Sequence, residues 1–152
     1  MNTKIEPNNR KKNENFVKSR FQILEKFFDS LPEVPRGSHK LVAGIFDKKG
    51  RIVSLGHNSH WKTHPQAPKV DKWKLNGSLG VYQCVHAELH AILQAEKNEY
   101  NPRKCSIFVY RKGKDGKDRH SEPCQNCKTL IDFKKIGNVF FHDAEGNVSS
   151  EY

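Results

Sequence analysis

No stretch of this sequence approaches the ~18 consecutive apolar residues of a membrane span. Nor does its beginning hold an apolar run long enough for a secretory signal peptide, and its end carries no lipidation motif. A membrane partner is therefore not expected. Acidic residues are in short supply: 17 Asp and Glu stand against 27 Lys and Arg, a formal net charge of +10. Such an excess favours phosphate-bearing or polyanionic partners, although a surface merely rich in lysine gives the same number. Cysteine is sparse, at Cys84, Cys105, Cys124 and Cys127. Four cysteines make two disulfides in a secreted chain; without a leader, a cytoplasmic setting with reduced thiols is expected. There a C-x-x-C reads as metal or redox chemistry. Internal repeats are absent.

What is present suits one domain. A chain of 152 residues buries a core without disulfide staples, and nine Phe, four Tyr and two Trp supply large apolar side chains. Residues 1–13 are polar and basic without hydrophobic period, and are expected as a flexible arm before a single domain over 14–152. From Asn15 to Leu31, Phe16, Val17, Phe21, Ile23, Leu24, Phe27, Phe28 and Leu31 recur at helical spacing, and Pro32 and Pro35 end the helix. Lys40–Asp47 and Arg51–Leu55 read as a hairpin about Lys48-Lys49-Gly50. Gly56 to Leu79 has no period. Cys84–Lys97 reads as a helix, Ser106–Arg111 as a strand and Lys112–Arg119 as a basic loop. A helix opens at Pro123 and runs to Phe133, stopped by Gly137; Asn138–His142 is a strand, and a further short strand near Val148 is weakly indicated. This order predicts an α/β fold: a three-layer α/β/α sandwich about a central mixed sheet of four or five strands.

Two motifs carry chemistry: His86-Ala87-Glu88 and Pro123-Cys124-Gln125-Asn126-Cys127. Each opens an expected helix. Imidazole and thiolate are the ligands a borderline-soft divalent ion prefers, and His86, Cys124 and Cys127 leave the fourth tetrahedral position to water. The positive helix end favours thiolate. Glu88 stands two residues beyond His86, beside such a metal without ligating it. Other readings remain open. Cys84 could close a structural Cys₃His cage, which leaves Glu88 without a role. Cys124 and Cys127 alone could be a redox pair. His90, one turn after His86, suits packing better than ligation. His60 and His64 are candidates for substrate, phosphate or an accessory metal, or simply for a solvated loop. Trp61 and Trp73 could stack on a base or pack against the sheet. Cys105 reads as a small core residue.

The pattern H-x-E … P-C-x-x-C, with VHAELHAIL at 85–93 and SEPCQNCKTL at 121–130, resembles the cytidine and deoxycytidylate deaminase superfamily. The resemblance covers most of Lys40–His142. It implies zinc on His86, Cys124 and Cys127, with water as fourth ligand. It implies Glu88 as the group that takes the water proton, delivers it to N3 of a cytosine ring and protonates the departing ammonia. It further implies that the Ala87 backbone N–H contacts the pyrimidine carbonyl, that Asn58 binds substrate, and that the chain is a homo-oligomer.

Three functions compete at this stage. The first is hydrolytic deamination of a free cytosine nucleotide, with dCMP the leading substrate and the basic loop at Lys112–Arg119 holding phosphate. The second is deamination of cytosine, or adenine, within single-stranded DNA or RNA, favoured by the net charge and the tryptophans. The third is a non-catalytic, zinc-stabilised nucleic-acid-binding module, against which Glu88 speaks.

Overall fold

A computed structural model describes residues 7–34, 39–58 and 86–151, with side chains from Glu14 onward. Cys84, His60, Trp61, His64 and Trp73 lie outside the described residues, and so do the readings placed on them.

The helical period beginning at Phe16 is realised as α1 (Pro7–Ser30). This helix begins eight residues before the expected Asn15. The stretch 7–13, expected as part of a loose arm, forms its first turns, because Lys, Arg, Asn and Glu sustain a helix without an apolar stripe. Alternation then takes over. The strands β1 (Val42–Phe46) and β2 (Ile52–His57) form the expected hairpin. Asp47 accepts the backbone N–H groups of Lys49 and Arg51 at 2.9 Å each, and Gly50 takes the left-handed conformation, φ 82°, that closes the turn. After α2 (Ala87–Ala95) come β3 (Ser106–Tyr110), α3 (Gln125–Phe133), β4 (Asn138–His142) and β5 (Val148–Glu151). The five strands run in the order β2-β1-β3-β4-β5, with β3 and β4 parallel and the other neighbours antiparallel. The weakly indicated last strand is therefore real, and the sheet is mixed as expected.

Each face of the sheet carries its own core, which yields the three layers. Val42, Phe46, Phe108 and Tyr110 face α1 and pack on Phe21, Leu24 and Phe28. Ala43, Ile45, Ile107, Val109 and Phe141 face the other way, against Leu89, Ala91 and Ile92 of α2 and Leu130 and Ile131 of α3. The inner strand β1 is buried on both faces, which is why VAGIF reads as a continuous apolar run rather than an alternating one.

The placement of α2 depends on one close approach. A side chain at Gly56 would put its Cβ 2.4 Å from the Ala91 nitrogen and 2.8 Å from the Ala87 carbonyl oxygen. Both are backbone atoms of α2 that cannot swing aside. Beside it, Ser54 Oγ donates to the Ala91 carbonyl at 2.7 Å, and the His57 N–H donates to His90 Nδ1 at 3.1 Å. Gly56→Ala is therefore expected to cost about 1–3 kcal/mol of stability, read as a lowered urea midpoint. An unchanged midpoint would show that α2 is not seated on β2 in this way.

Candidate metal centre

His86 and Cys124 are the residues at which two helices begin. His86 is the extended residue before α2 (φ −81°, ψ 147°), and Cys124 holds the same position before α3 (φ −66°, ψ 166°). The second helix thus starts after Cys124, not at Pro123 as expected, because the extended backbone at Cys124 postpones the first helical residue to Gln125. Cys127 follows in the first turn of α3 and is buried. The two sequence motifs are brought to one point by two helix N-termini. The partial positive charge there, together with N–H groups that lack intrahelical partners, favours thiolate and anion.

His86 Nδ1 lies 3.7 Å from Cys124 Sγ and 3.4 Å from Cys127 Sγ, and the three ligand atoms all fall within 4.8 Å of one another. Zinc bonds of about 2.3 Å to sulfur and about 2.0 Å to nitrogen put neighbouring corners of a tetrahedron about 3.5 Å apart. The cluster has that size, and it is the one group of this kind among the described residues. The sulfurs are poised for a cation. The Cys127 thiol donates to Cys124, which pulls the Cys124 pKa down to about 4 and pushes that of Cys127 well up. A bound zinc ion would take the place of that shared proton.

Glu88 sits in the first turn of α2, only 5% exposed. Burial pushes its carboxyl above the usual carboxylate range, and its neighbours are His86, Cys124 and Cys127. The carboxylate is thus buried beside the ligands without belonging to the ligand set. His90 uses both ring nitrogens elsewhere: Nδ1 accepts from His57 N–H, and Nε2 lies 3.1 Å from the Gln94 amide. It is a packing residue, as expected. Cys105 is buried in the core between the sheet and α2–α3, also as expected.

Asn58 follows β2 directly. Its Oδ1 accepts from Leu41 N–H at 2.9 Å and its Nδ2 donates to the His39 carbonyl at 2.7 Å, so its amide clasps the chain entering β1. One residue that the sequence did not single out joins it. Arg111, at the end of β3, contacts His39 Nδ1 at 2.7 Å and donates to the His120 carbonyl at 3.2 Å. It thereby stands between the segment held by Asn58 and the segment running on to Cys124. Arg111 has no carboxylate partner among the described residues, and partial burial together with the nearby Arg119 lowers its pKa. Two cations of the basic loop expected to hold phosphate are paired with carboxylates. Lys112 pairs with Asp29 at 2.6 Å and Arg119 with Asp115 at 2.6 Å.

Residues 22–143 match the model of the cytidine and deoxycytidylate deaminase zinc-binding region. The chain belongs to this family. No curated protein sequence matches it. Among solved structures, a cytidine deaminase from Burkholderia pseudomallei superposes with a TM-score of 0.56 at 18% identity, over 88% of this chain and 90% of that one. At that identity the likeness is one of fold. The deaminase family accounts for the zinc ligand set, and the enzyme is a zinc-dependent hydrolase of the cytidine/deoxycytidylate type. No described helix is long and apolar enough to cross a membrane.

Proposed function

We propose that this deaminase hydrolyses the C4 amino group of a free deoxycytidine nucleotide, with dCMP as the leading substrate. Water adds at C4, the C4–N bond breaks, ammonia leaves and a uracil-type base remains. His86, Cys124 and Cys127 would hold zinc, which when bound lowers the pKa of water and so supplies a nucleophile near neutral pH. Glu88 moves the protons: it accepts one from the attacking water and passes it to ring N3, then takes the proton of the new C4 hydroxyl as the carbonyl forms and gives it to the leaving amine. Its burial supports this, since a carboxyl raised toward neutrality exchanges protons in both directions. The Ala87 N–H, in the first turn of α2, is proposed to contact the pyrimidine carbonyl, and Asn58 to contact substrate from the rim.

The observation that favours a nucleotide over a nucleoside is Arg111. A half-buried guanidinium with no carboxylate partner among the described residues, next to a second arginine, lacks only an anion. A charge-assisted hydrogen bond contributes about 1.5–3 kcal/mol. Arg111→Ala is therefore expected to raise KM for dCMP by roughly ten- to a hundredfold while leaving deoxycytidine turnover nearly unchanged. Steady-state kinetics on both substrates decide it. Equal losses on nucleotide and nucleoside would remove Arg111 from the phosphate role.

Action on a nucleic-acid strand drew its support from the net charge. In the folded chain, Arg51, Lys112, Arg119, Lys128 and Lys134 each pair with a carboxylate, so these five cations are less available to a strand than unpaired ones. Assembly as a homo-oligomer is part of the proposal by family resemblance.

A further inference from the structure

On the face of the sheet turned away from the zinc ligands, α1 and the ends of β3, β4 and β5 enclose a cleft of about 720 Å³. That volume suits a small organic molecule. Part of its wall is apolar: Val17, the edge of Phe21, and Val148, which is 51% exposed. Its polar end carries an imbalance. The Tyr110 hydroxyl lies 3.1 Å from Glu25 Oε2 and 2.9 Å from Asp118 Oδ1. One hydroxyl proton serves one of these carboxylates at a time and leaves the other facing only a lone pair. Lys112 relieves Glu25 weakly, at 4.0 Å, because its ammonium is held by Asp29 at 2.6 Å.

His142 adds a third acceptor. Its side chain is 5% exposed, and its Nε2 lies 3.6 Å from Asp118 Oδ2. Its Nδ1 is buried with no hydrogen-bond partner. Burial lowers the imidazole's pKa, against the pull of Asp118 and Asp143. With the proton on Nε2, toward Asp118, Nδ1 presents a lone pair. Leaving such a group unmade is costly, and His142 lines the same cleft as the two carboxylates and the phenol that has one proton to give. In a chain of net charge +10, a cleft so rich in acceptors is a local inversion of sign. Lys18 is the cation among its lining residues.

We propose that this cleft binds an organic ammonium ligand with an apolar, ring-sized body, its cation beside the carboxylates of Glu25 and Asp118 on the open side of the Tyr110 hydroxyl. Val17, the edge of Phe21 and the exposed Val148 would border the body. The site is separate from the zinc cluster and does not depend on the choice of deaminase substrate.

Isothermal titration calorimetry on the full-length, zinc-loaded protein tests this with three probes of one shape: 2-phenylethylammonium, neutral 2-phenylethanol and anionic phenylacetate. The ammonium is expected to bind at least tenfold more tightly than the alcohol, and phenylacetate not at all. The Glu25→Gln/Asp118→Asn double variant should lose the preference. Val148→Lys, a change at an exposed position that leaves the core intact, should weaken the ammonium by repulsion at the mouth. Absence of ammonium binding, equal binding of ammonium and alcohol, or undiminished affinity in Val148→Lys would each overturn the assignment.

Discussion

Glu88→Gln is expected to lower kcat for cytosine deamination by about 10²–10⁴-fold while the protein keeps its zinc. The substitution preserves shape and removes only the ability to take and return a proton. Glu88 is buried in the first turn of α2, beside His86 and Cys127, where water cannot replace it as a base. The three ligand atoms are untouched, so zinc per chain should stay at the wild-type level. Stability should not fall, because an amide costs less to bury than a carboxylate. Zinc content, melting temperature and single-substrate kinetics separate these outcomes. Activity within a few-fold of wild type, with zinc retained, would take the proton-transfer role away from Glu88.

Cys124→Ala is expected to abolish both zinc binding and activity, and to lower stability by several kcal/mol, on the order of what metal–thiolate sites contribute to small folds. The reason is architectural. His86 and Cys124 precede α2 and α3, and Cys127 lies in the first turn of α3, so a zinc ion held by them would join the two helix ends covering one face of the sheet. Without Cys124, the Cys127 thiol also loses the acceptor it donates to. Metal analysis and thermal melts with and without a chelator read this directly. Chelation should lower the wild-type melting temperature and leave that of the variant unmoved. A variant that retained stoichiometric zinc and the wild-type melt would contradict the ligand assignment.

The zinc cluster was legible in the sequence because ligand spacing is local: H-x-E and P-C-x-x-C each span a single helix start. The layered fold was legible because the helical period of α1 and the apolar runs of β1, β3 and β4 are strong signals. The less visible features arise from tertiary contact. Gly137 reads as a helix stop, yet Lys135 ends α3 by taking φ 61°. Gly137 is needed elsewhere, since a Cβ there would lie 2.5 Å from the Arg103 carbonyl oxygen. Gly56 reads as an ordinary loop glycine after a strand, yet β2 runs through it to His57 and its missing side chain admits α2. Arg111 was one cation in a basic run. Its distinction from Lys112 and Arg119 lies in which carboxylates the folded chain brings near, and no local pattern encodes that. The Glu25–Asp118–His142 grouping joins α1, the loop after β3 and the end of β4, so it too became visible only in three dimensions.

Ammonia release by purified, zinc-loaded protein offered dCMP, deoxycytidine and a cytosine-containing single-stranded oligonucleotide tests the central claim most directly. The expected result is turnover of dCMP that far exceeds that of the other two and disappears in Glu88→Gln. Turnover of the oligonucleotide alone, or no ammonia from any of the three, would contradict it.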